Sequence, residues 1–185
     1  MESPPDHLVF SHTLEVLFRK TLAGLITPSI EARLCKVGVD LSKPLDPAYP
    51  MRVFDDAIEV IAVHAMSERA MADALRKVGE LQVESFKQTF IGAATFQFLK
   101  LLSLPRFLGR MTQSWRQANN FVEATVAPQP DGSLKVRVND VGRFPEVIQG
   151  VLSAAIKAAG HKVIVSIGAR DGLACEYELR FPVSS

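Results

Sequence analysis

The spacing of apolar residues changes near Asn120, and this change constrains the fold more than any other feature of the 185-residue chain. Before it, apolar residues recur every three or four positions, as on one face of a helix. After it they alternate with polar residues, most clearly over residues 134–138, as expected of a half-buried strand. We therefore predict an α+β protein, with a helical part over about residues 8–118 and a ββαββ part over about residues 120–182.

The ββαββ part is predicted to form a mostly antiparallel sheet. Its strands are expected at about residues 121–126, 134–138, 163–167 and 175–181. Turn residues at 128–132 and at Asp171-Gly172 close each pair of strands into a hairpin. Pro145 can open a helix between the hairpins, and Gly160 can end it. This order predicts a helix across one face of the sheet, packed with the N-terminal helices.

The helical part is predicted to contain six helices. They are expected over residues 12–23, 28–37, 53–66, from 67 toward 90 and, divided by Gly92 and Pro105, in two further segments up to about 118. Thr27 and Ser67 are expected to cap two of these helices, and Gly79 is expected to bend the fourth. A fixed extended connector is predicted where three prolines follow one another, at Pro44, Pro47 and Pro50.

Composition limits the class of protein. A hydrophobic fraction of 48% and a charged fraction of 22% are typical of a globular protein, and the length suits one domain over residues 1–185. A formal net charge of +1 gives no overall field, so we expect no nucleic-acid partner. Gln97, Lys100 and Pro105 interrupt the apolar stretch 90–108, which favours a buried helix pair over a membrane span. Two cysteines and a polar N-terminus predict a cytoplasmic protein.

The sequence shows no motif for catalysis, for a metal or for a cofactor. Cys35 and Cys175 are far apart, and the four histidines do not have the spacing of a zinc site. There is no Gly-x-Ser-x-Gly elbow and no Gly-x-Gly-x-x-Gly or Walker-type loop. We therefore predict a protein that is not an enzyme and that has no catalytic residue, no metal site and no cofactor.

A basic stretch without any acidic residue lies between Glu84 and Glu123. It contains five cations and the single tryptophan of the chain: Lys87, Lys100, Arg106, Arg110, Trp115 and Arg116. Arg106 and Arg110 can share one helical face and form a patch for an acidic partner, since guanidinium groups bind carboxylates and phosphates in pairs of hydrogen bonds. The alternative is an ordinary charged outer face that neighbouring acidic helices balance.

Two polar corners form a second candidate site. They lie at the ends of the first predicted hairpin, which would bring Asn119 and Asn120 close to Asn139. One interpretation places them at the mouth of a pocket, with Arg116 or Arg143 binding the charge of a ligand. The other assigns the asparagines to side-chain hydrogen bonds that hold the turns.

Small residues form a ridge on the predicted C-terminal helix, at Gly150, Ser153, Ala154 and Ala158. Small side chains allow two backbones to approach closely. The ridge is therefore predicted to pack within the molecule or to form the seam of a homodimer.

Several short motifs, in order along the chain, resemble a family of myxobacterial paralogues of similar length and unassigned function. The resemblance is carried by residues 9–15, 47–50, 111–120, 139–143, 149–150 and 158–160. It covers nearly the whole chain and implies relatives rather than an activity.

The C-terminal third is also similar to the 4-vinyl-reductase-like domain, which is grouped with the H-NOX haem sensors and the TRAPP tethering subunits. The helix from Gln149 to Gly160, then Gly172 and Cys175, carries this similarity. The other cysteines of that domain are absent, which argues against a zinc site. H-NOX haem binding would need a helical histidine and a Tyr-x-Ser-x-Arg signature, and neither Tyr49 nor Tyr177 begins one.

From these features we predict a non-catalytic binding protein that senses or carries a small apolar or anionic molecule. The predicted pocket lies between the sheet and helices that contribute Phe90, Phe96, Phe98 and Leu102. The alternative is a protein-interaction module or scaffold, homodimeric and TRAPP-like. An enzyme is a third possibility, for which the sequence supplies no residues.

Overall fold

Helices give way to strands near Asn120, where the sequence predicts the change. The computed structural model describes residues 3–182, apart from the side chain of Phe90. The α-helices within this part are α1 (Ser11–Leu14), α2 (Pro28–Lys36), α3 (Met51–His64), α4 (Met71–Gln88), α5 (Phe90–Leu99), α6 (Leu104–Ser114) and α7 (Pro145–Ala158). A π-helical segment, Glu15–Thr21, extends α1, and short 3-10 turns occur at Ala23–Leu25 and Trp115–Gln117.

The strands form two antiparallel sheets. They are β1 (Leu8–Phe10), β2 (Ala48–Pro50), β3 (Ala124–Pro128), β4 (Leu134–Val138), β5 (Ile164–Asp171) and β6 (Ala174–Arg180). β1 pairs with β2, and the larger sheet has the order β3-β4-β6-β5. The predicted fold class, α+β with a C-terminal ββαββ unit and an antiparallel sheet, is confirmed.

The larger sheet has one apolar face and one charged face. Val136, Val138 and Tyr177 are fully buried with Leu152 and Ile156 of α7 in one core cluster. The hydroxyl of Tyr177 donates a hydrogen bond to the carbonyl of Pro145 at 2.9 Å and so fixes the start of α7 on the sheet. On the opposite face, cross-strand ion pairs such as Lys135–Glu176 (3.0 Å) face solvent. This division of faces explains the alternation in the sequence.

Helices α4 and α7 contact each other backbone to backbone at two glycines. A Cβ atom on Gly79 would lie 2.0 Å from the carbonyl oxygen of Val147, and one on Gly150 would lie 2.0 Å from that of Arg76. The ridge residue Gly150 therefore packs within the molecule. Helix α4 is uninterrupted at Gly79, and α7 approaches α4 at this position.

Three sequence predictions about local structure need correction. The small sheet of β1 and β2 lies inside the part predicted to be helical, where each strand is only three residues long. Thr27 caps α2 as predicted, but α4 begins at Met71 without a side-chain cap, so the expected cap at Ser67 is wrong. The pair α5 and α6 is buried only in part, since Phe98 and Leu101 are exposed.

Replacing glycine by alanine is expected to change the free energy of unfolding in opposite directions at Gly150, which lies against α4, and at Gly109, which has open space around it. Gly150→Ala places a methyl group against a carbonyl oxygen, and we expect it to lower the free energy of unfolding by about 1–3 kcal/mol. Gly109→Ala in α6 meets open space, and its better helix propensity is expected to raise that free energy by about 0.5–1 kcal/mol. Urea titrations measure both.

The same titrations test whether the chain folds as one unit, which we propose. Trp115 fluorescence and far-UV circular dichroism should then give one common midpoint. A Gly150→Ala protein as stable as the parent would contradict close packing at the crossing, and separate midpoints would contradict the single unit.

Candidate ligand-binding cavity

An apolar cavity of about 540 Å³ lies among the helices. Its wall combines residues of α1, the π-helical segment, the end of α4, α5, α6, residues 115–119 and α7. Side chains that give the wall its apolar character include Val83, Phe86, Phe96, Leu99, Met111 and Val151. The volume falls within the range of about 300–1,000 Å³ that is usual for small-molecule sites. No described strand residue lines the cavity, whereas residues of α7 do. The cavity therefore lies against α7 and not between the sheet and the helices, where the sequence analysis predicted a pocket.

Four polar side chains in the cavity wall already have hydrogen-bond partners in the protein, those of Thr13, Thr89, Ser114 and Asn119. The hydroxyl of Ser114 donates to the carbonyl of Met111 at 2.6 Å. The side-chain oxygen of Asn119 accepts from the backbone N–H groups of Phe121 and Val122, at 3.3 and 2.8 Å. These bonds hold the local backbone.

Gln82 is different. Its side-chain nitrogen is buried and has no hydrogen-bond partner among the described residues, and Gln82 lines the cavity. Two other buried side-chain nitrogens share this state, on Arg143 and His161, but neither residue lines the cavity. An unsatisfied buried amide destabilises a fold by about 1–3 kcal/mol, so a ligand that accepts a hydrogen bond from Gln82 would offset this cost.

Three of the site residues predicted from the sequence line the cavity. Phe96 packs edge to face against Phe86, with 6.3 Å between ring centroids. Trp115 lies half-buried in the wall, and Asn119 is buried there. These three residues come from α5 and from the segment after α6, which the fold brings together.

The other predicted asparagines hold the backbone. Asn120 accepts a hydrogen bond from the N–H of Leu8 at 2.8 Å and donates to the carbonyl of Asp6. Asn139 accepts from the N–H of Glu123 at 2.7 Å and donates to the carbonyl of Phe121. Their contacts match the structural interpretation of the polar corners, and neither residue lines the cavity.

The predicted arginines also lie outside the cavity wall. Arg116 is exposed and pairs with Glu123. Arg143 bridges Asp56 (2.7 Å) and Glu59 (3.0 Å) on α3. Arg106 and Arg110 are exposed on α6, with no carboxylate within ion-pair distance among the described residues.

The pocket residues predicted around Phe96 have other positions. Phe98 is exposed and Leu102 packs against the core cluster of the sheet, and neither lines the cavity. The prediction for Phe90 concerns a side chain outside the described part. The sequence analysis missed Gln82, although it lies one turn after Val78 on the buried side of α4, where a polar residue breaks the apolar stripe.

A buried carboxylate cluster holds the corner at residues 139–143 against α3. Asp140 is almost fully buried and accepts hydrogen bonds from the N–H of Gly142 (2.8 Å) and from Ser3, and its second oxygen lies 2.7 Å from Nδ1 of His7. Asp55 accepts from the N–H of Arg143 at 3.0 Å. Burial raises the pKa of Asp55 to about 7, although this hydrogen bond opposes the rise.

Comparisons with known proteins place the fold. A family profile described as "Protein of unknown function (DUF2378)" matches residues 7–181. No curated protein matches the chain significantly. The H-NOX protein of S. oneidensis in the Fe(II)NO ligation state is similar with a TM-score of 0.64 and 11% identity, over 92% of this chain and 97% of that chain.

Two further solved structures agree. A Cs H-NOX mutant with an unnatural amino acid has a TM-score of 0.64 and 14% identity, over 95% of this chain and 99% of that chain. A structure from work on heme distortion in the H-NOX family has a TM-score of 0.63 and 16% identity, over 94% of this chain and 96% of that chain. At these identities the similarity establishes an H-NOX-like fold alone. The resemblance to 4-vinyl-reductase-like and TRAPP proteins stays a prediction.

Haem does not fit the donor set of this cavity. Haem iron in proteins is held by His, Cys, Tyr or Met, and of these types the wall contains His12, which is exposed, and Met111. Among the described residues of the wall, no lysine or arginine is present to neutralise the porphyrin carboxylates. His64 is exposed on α3 and outside the wall. Within the part of the chain that the structure describes, no group of three His, Cys, Asp or Glu residues is placed to hold a metal ion.

The pKa of Asp55 predicts a pH-dependent stability. The folded protein holds this proton more tightly than the unfolded chain, where the ordinary value is 3.8. The resulting stabilisation is complete below about pH 4 and is lost as the pH rises through about 7. The substitution Asp55→Asn removes this titration. As the pH rises from about 4 to about 7, the free energy of unfolding of the parent should therefore fall, relative to that of the variant, by up to about 1.4 kcal/mol per pH unit.

Urea titrations between about pH 5 and pH 8 measure the difference. Asp73→Asn, at an exposed carboxylate on α4, is the matched control and should run parallel to the parent. A pH-independent difference between Asp55→Asn and the parent would show that the carboxyl of Asp55 does not titrate in this range.

Proposed function

The chain belongs to the DUF2378 family of proteins of unknown function, and we propose that it is a non-catalytic protein that senses or carries a small apolar molecule in the helical cavity. The observation that carries the proposal is the 540 Å³ apolar cavity whose wall holds the unpartnered amide of Gln82. An apolar wall with few polar groups is the usual form of a small-molecule site.

The wall favours a neutral ligand over an anionic one. Neither arginine nor lysine is among its residues, and the predicted cations Arg116 and Arg143 are paired elsewhere with carboxylates. A negative charge in this cavity would lose its hydration without a counter-charge. The proposed ligand is therefore largely apolar and has one hydrogen-bond acceptor for Gln82.

Sensing rather than catalysis is supported by the groups that the wall lacks. The hydroxyl of Ser114 is bonded to a backbone carbonyl, and His12 is exposed. This leaves no nucleophile and base in contact among the described wall residues, as covalent catalysis would need. One of the similar H-NOX structures comes from work on the mechanism of H-NOX activation, and this supports the proposal of a sensing role.

The proposal extends to the whole chain as a single domain in the cytoplasm. Cys35 is an exposed free thiol and Cys175 a buried one, which fits a reducing compartment. The homodimer alternative loses the support of the small-residue ridge, because Gly150 packs against α4.

Filling the cavity should weaken ligand binding. Thr95 lines the cavity on α5, whereas its neighbour Ala93 is exposed and outside the wall. With Nile red as the probe, Thr95→Phe should weaken binding by about tenfold or more, while the matched control Ala93→Phe should bind as the parent does. Fluorescence titration measures the affinity, and circular dichroism confirms folding. Equal binding by Thr95→Phe and Ala93→Phe would refute the cavity as the site.

Removing the unpartnered amide should stabilise the empty protein and weaken selected ligands. Gln82→Leu is expected to raise the free energy of unfolding by about 1 kcal/mol, because a buried donor without a partner disappears. Its affinity for Nile red, which has a carbonyl acceptor, should fall more than its affinity for the hydrocarbon diphenylhexatriene. Gln88→Leu, at an exposed position at the end of α4, is the control. A destabilised Gln82→Leu protein would assign the amide a structural role instead.

A further inference from the structure

Helix α5 carries an apolar stripe on its solvent side. The stripe follows a helical spacing of three and four residues, at Ile91, Ala94, Phe98 and Leu101. Its large side chains are exposed by 66% at Ile91, 58% at Phe98 and 82% at Leu101. The opposite side of α5 is buried through Phe96 and Leu99, so the helix has apolar residues on two sides and uses one of them for the core. Contiguous exposed apolar surface of this kind marks an interaction site.

Cations lie within and directly after this stripe in the sequence. Lys87 pairs with Glu84, and Arg116 pairs with Glu123, at the two ends of the acid-free stretch. The three cations between them, Lys100, Arg106 and Arg110, have no carboxylate within ion-pair distance among the described residues. Lys100 lies between Phe98 and Leu101, and Arg106 begins the exposed face of α6. Helix α5, the turn after it and helix α6 are called the α5–α6 hairpin below. The net charge of the whole chain is only +1, so the positive charge of this hairpin is balanced by acidic residues elsewhere in the chain.

A second copy of the chain is a poor occupant for such a surface. A two-fold dimer places the same patch on both subunits, so the three cations would face the same three cations. The charge instead requires an anionic partner. Leu101 stands at the turn between α5 and α6, where a side chain projects outward rather than lining a groove.

We propose that the hairpin of α5 and α6 docks on an anionic lipid surface. Phe98 and Leu101 enter the interfacial region while Lys100, Arg106 and Arg110 contact the headgroups, and this combination of apolar insertion and basic charge is what reversible surface binding needs. No helix in the described part is long and apolar enough to cross a bilayer, so the chain lies on the surface.

The docking surface adjoins the cavity. Ile91 belongs to the apolar stripe and also lies in the cavity wall, so the cavity rim faces the lipid when the hairpin docks. The ligand class is therefore an apolar molecule that partitions into membranes and passes between the bilayer and the cavity. This part of the inference rests on the proposed function, whereas the docking itself does not.

Vesicle sedimentation tests the docking. The full chain should bind vesicles of phosphatidylcholine and phosphatidylserine about tenfold or more tightly than vesicles of phosphatidylcholine alone, and raised salt should reduce the difference. The double variant Phe98→Ser, Leu101→Ser and the double variant Arg106→Gln, Arg110→Gln should each lose about tenfold of this binding. Val63→Ser, at an apolar residue on α3 that is 45% exposed, is the matched control and should bind as the parent does.

Three outcomes would overturn the docking. The first is equal binding to both kinds of vesicle, and the second is unchanged binding by the double variants. The third is that the parent binds no vesicles but forms a concentration-dependent dimer, which the Phe98→Ser, Leu101→Ser protein does not form. The cavity variant separates the two proposals, because Thr95→Phe should still sediment with vesicles but should bind Nile red about tenfold or more weakly than the parent does. Vesicle binding without Nile red uptake by the parent would leave the docking intact and refute the proposed function.

Discussion

The close approach of α4 and α7, which Gly79 and Gly150 permit, is the constraint on which the rest of the structure depends. The carbonyl groups of Val147 and Arg76 occupy the space that Cβ atoms at these glycines would take, so α4 and α7 touch through their backbones. This contact joins the core of the N-terminal helices to the core of the larger sheet. The turns that follow the glycines, with Gln82 in α4 and Val151 in α7, then form part of the cavity wall. Position and volume of the cavity thus follow from how closely two helices approach.

Local chemistry explains which parts of the fold could be predicted. The strands β4, β5 and β6 alternate in polarity because one sheet face is buried, and α7 has a proline at its start and a glycine after its end. These signals lie within each element. The pairing of β1 with β2 has no such signal, because two three-residue strands depend on a contact made across α1 and α2. Gly79 was a similar case, since its neighbour in space, Val147, lies in the other half of the chain.

The candidate site was harder to predict, because a cavity wall has the composition of a core. Phe96 was predicted as part of an apolar pocket helix, Trp115 as the single tryptophan and Asn119 as part of a polar corner, and all three line the cavity. Asn120, Asn139 and Arg143 were chosen for their polarity, yet their donors and acceptors serve the backbone or neighbouring carboxylates. The informative residue was Gln82, a polar side chain within an apolar helix stripe. Its interest is that its side-chain nitrogen has no hydrogen-bond partner among the described residues, and hydrogen-bond partners in the fold cannot be read from a sequence.

The apolar cavity and the amide of Gln82 have a common consequence. A ligand in the cavity would add dispersion contacts to the apolar wall and would accept a hydrogen bond from Gln82. A ligand that supplies both binds the folded state alone, and at a hundred times its dissociation constant it adds about 2.7 kcal/mol to the free energy of unfolding. Helix α5 packs mainly on α4 and contributes Thr95 and Phe96 to the wall, so it gains contacts as the cavity fills. The same helix carries the exposed residues Ile91 and Phe98, so the proposed ligand site and the proposed docking surface share one helix.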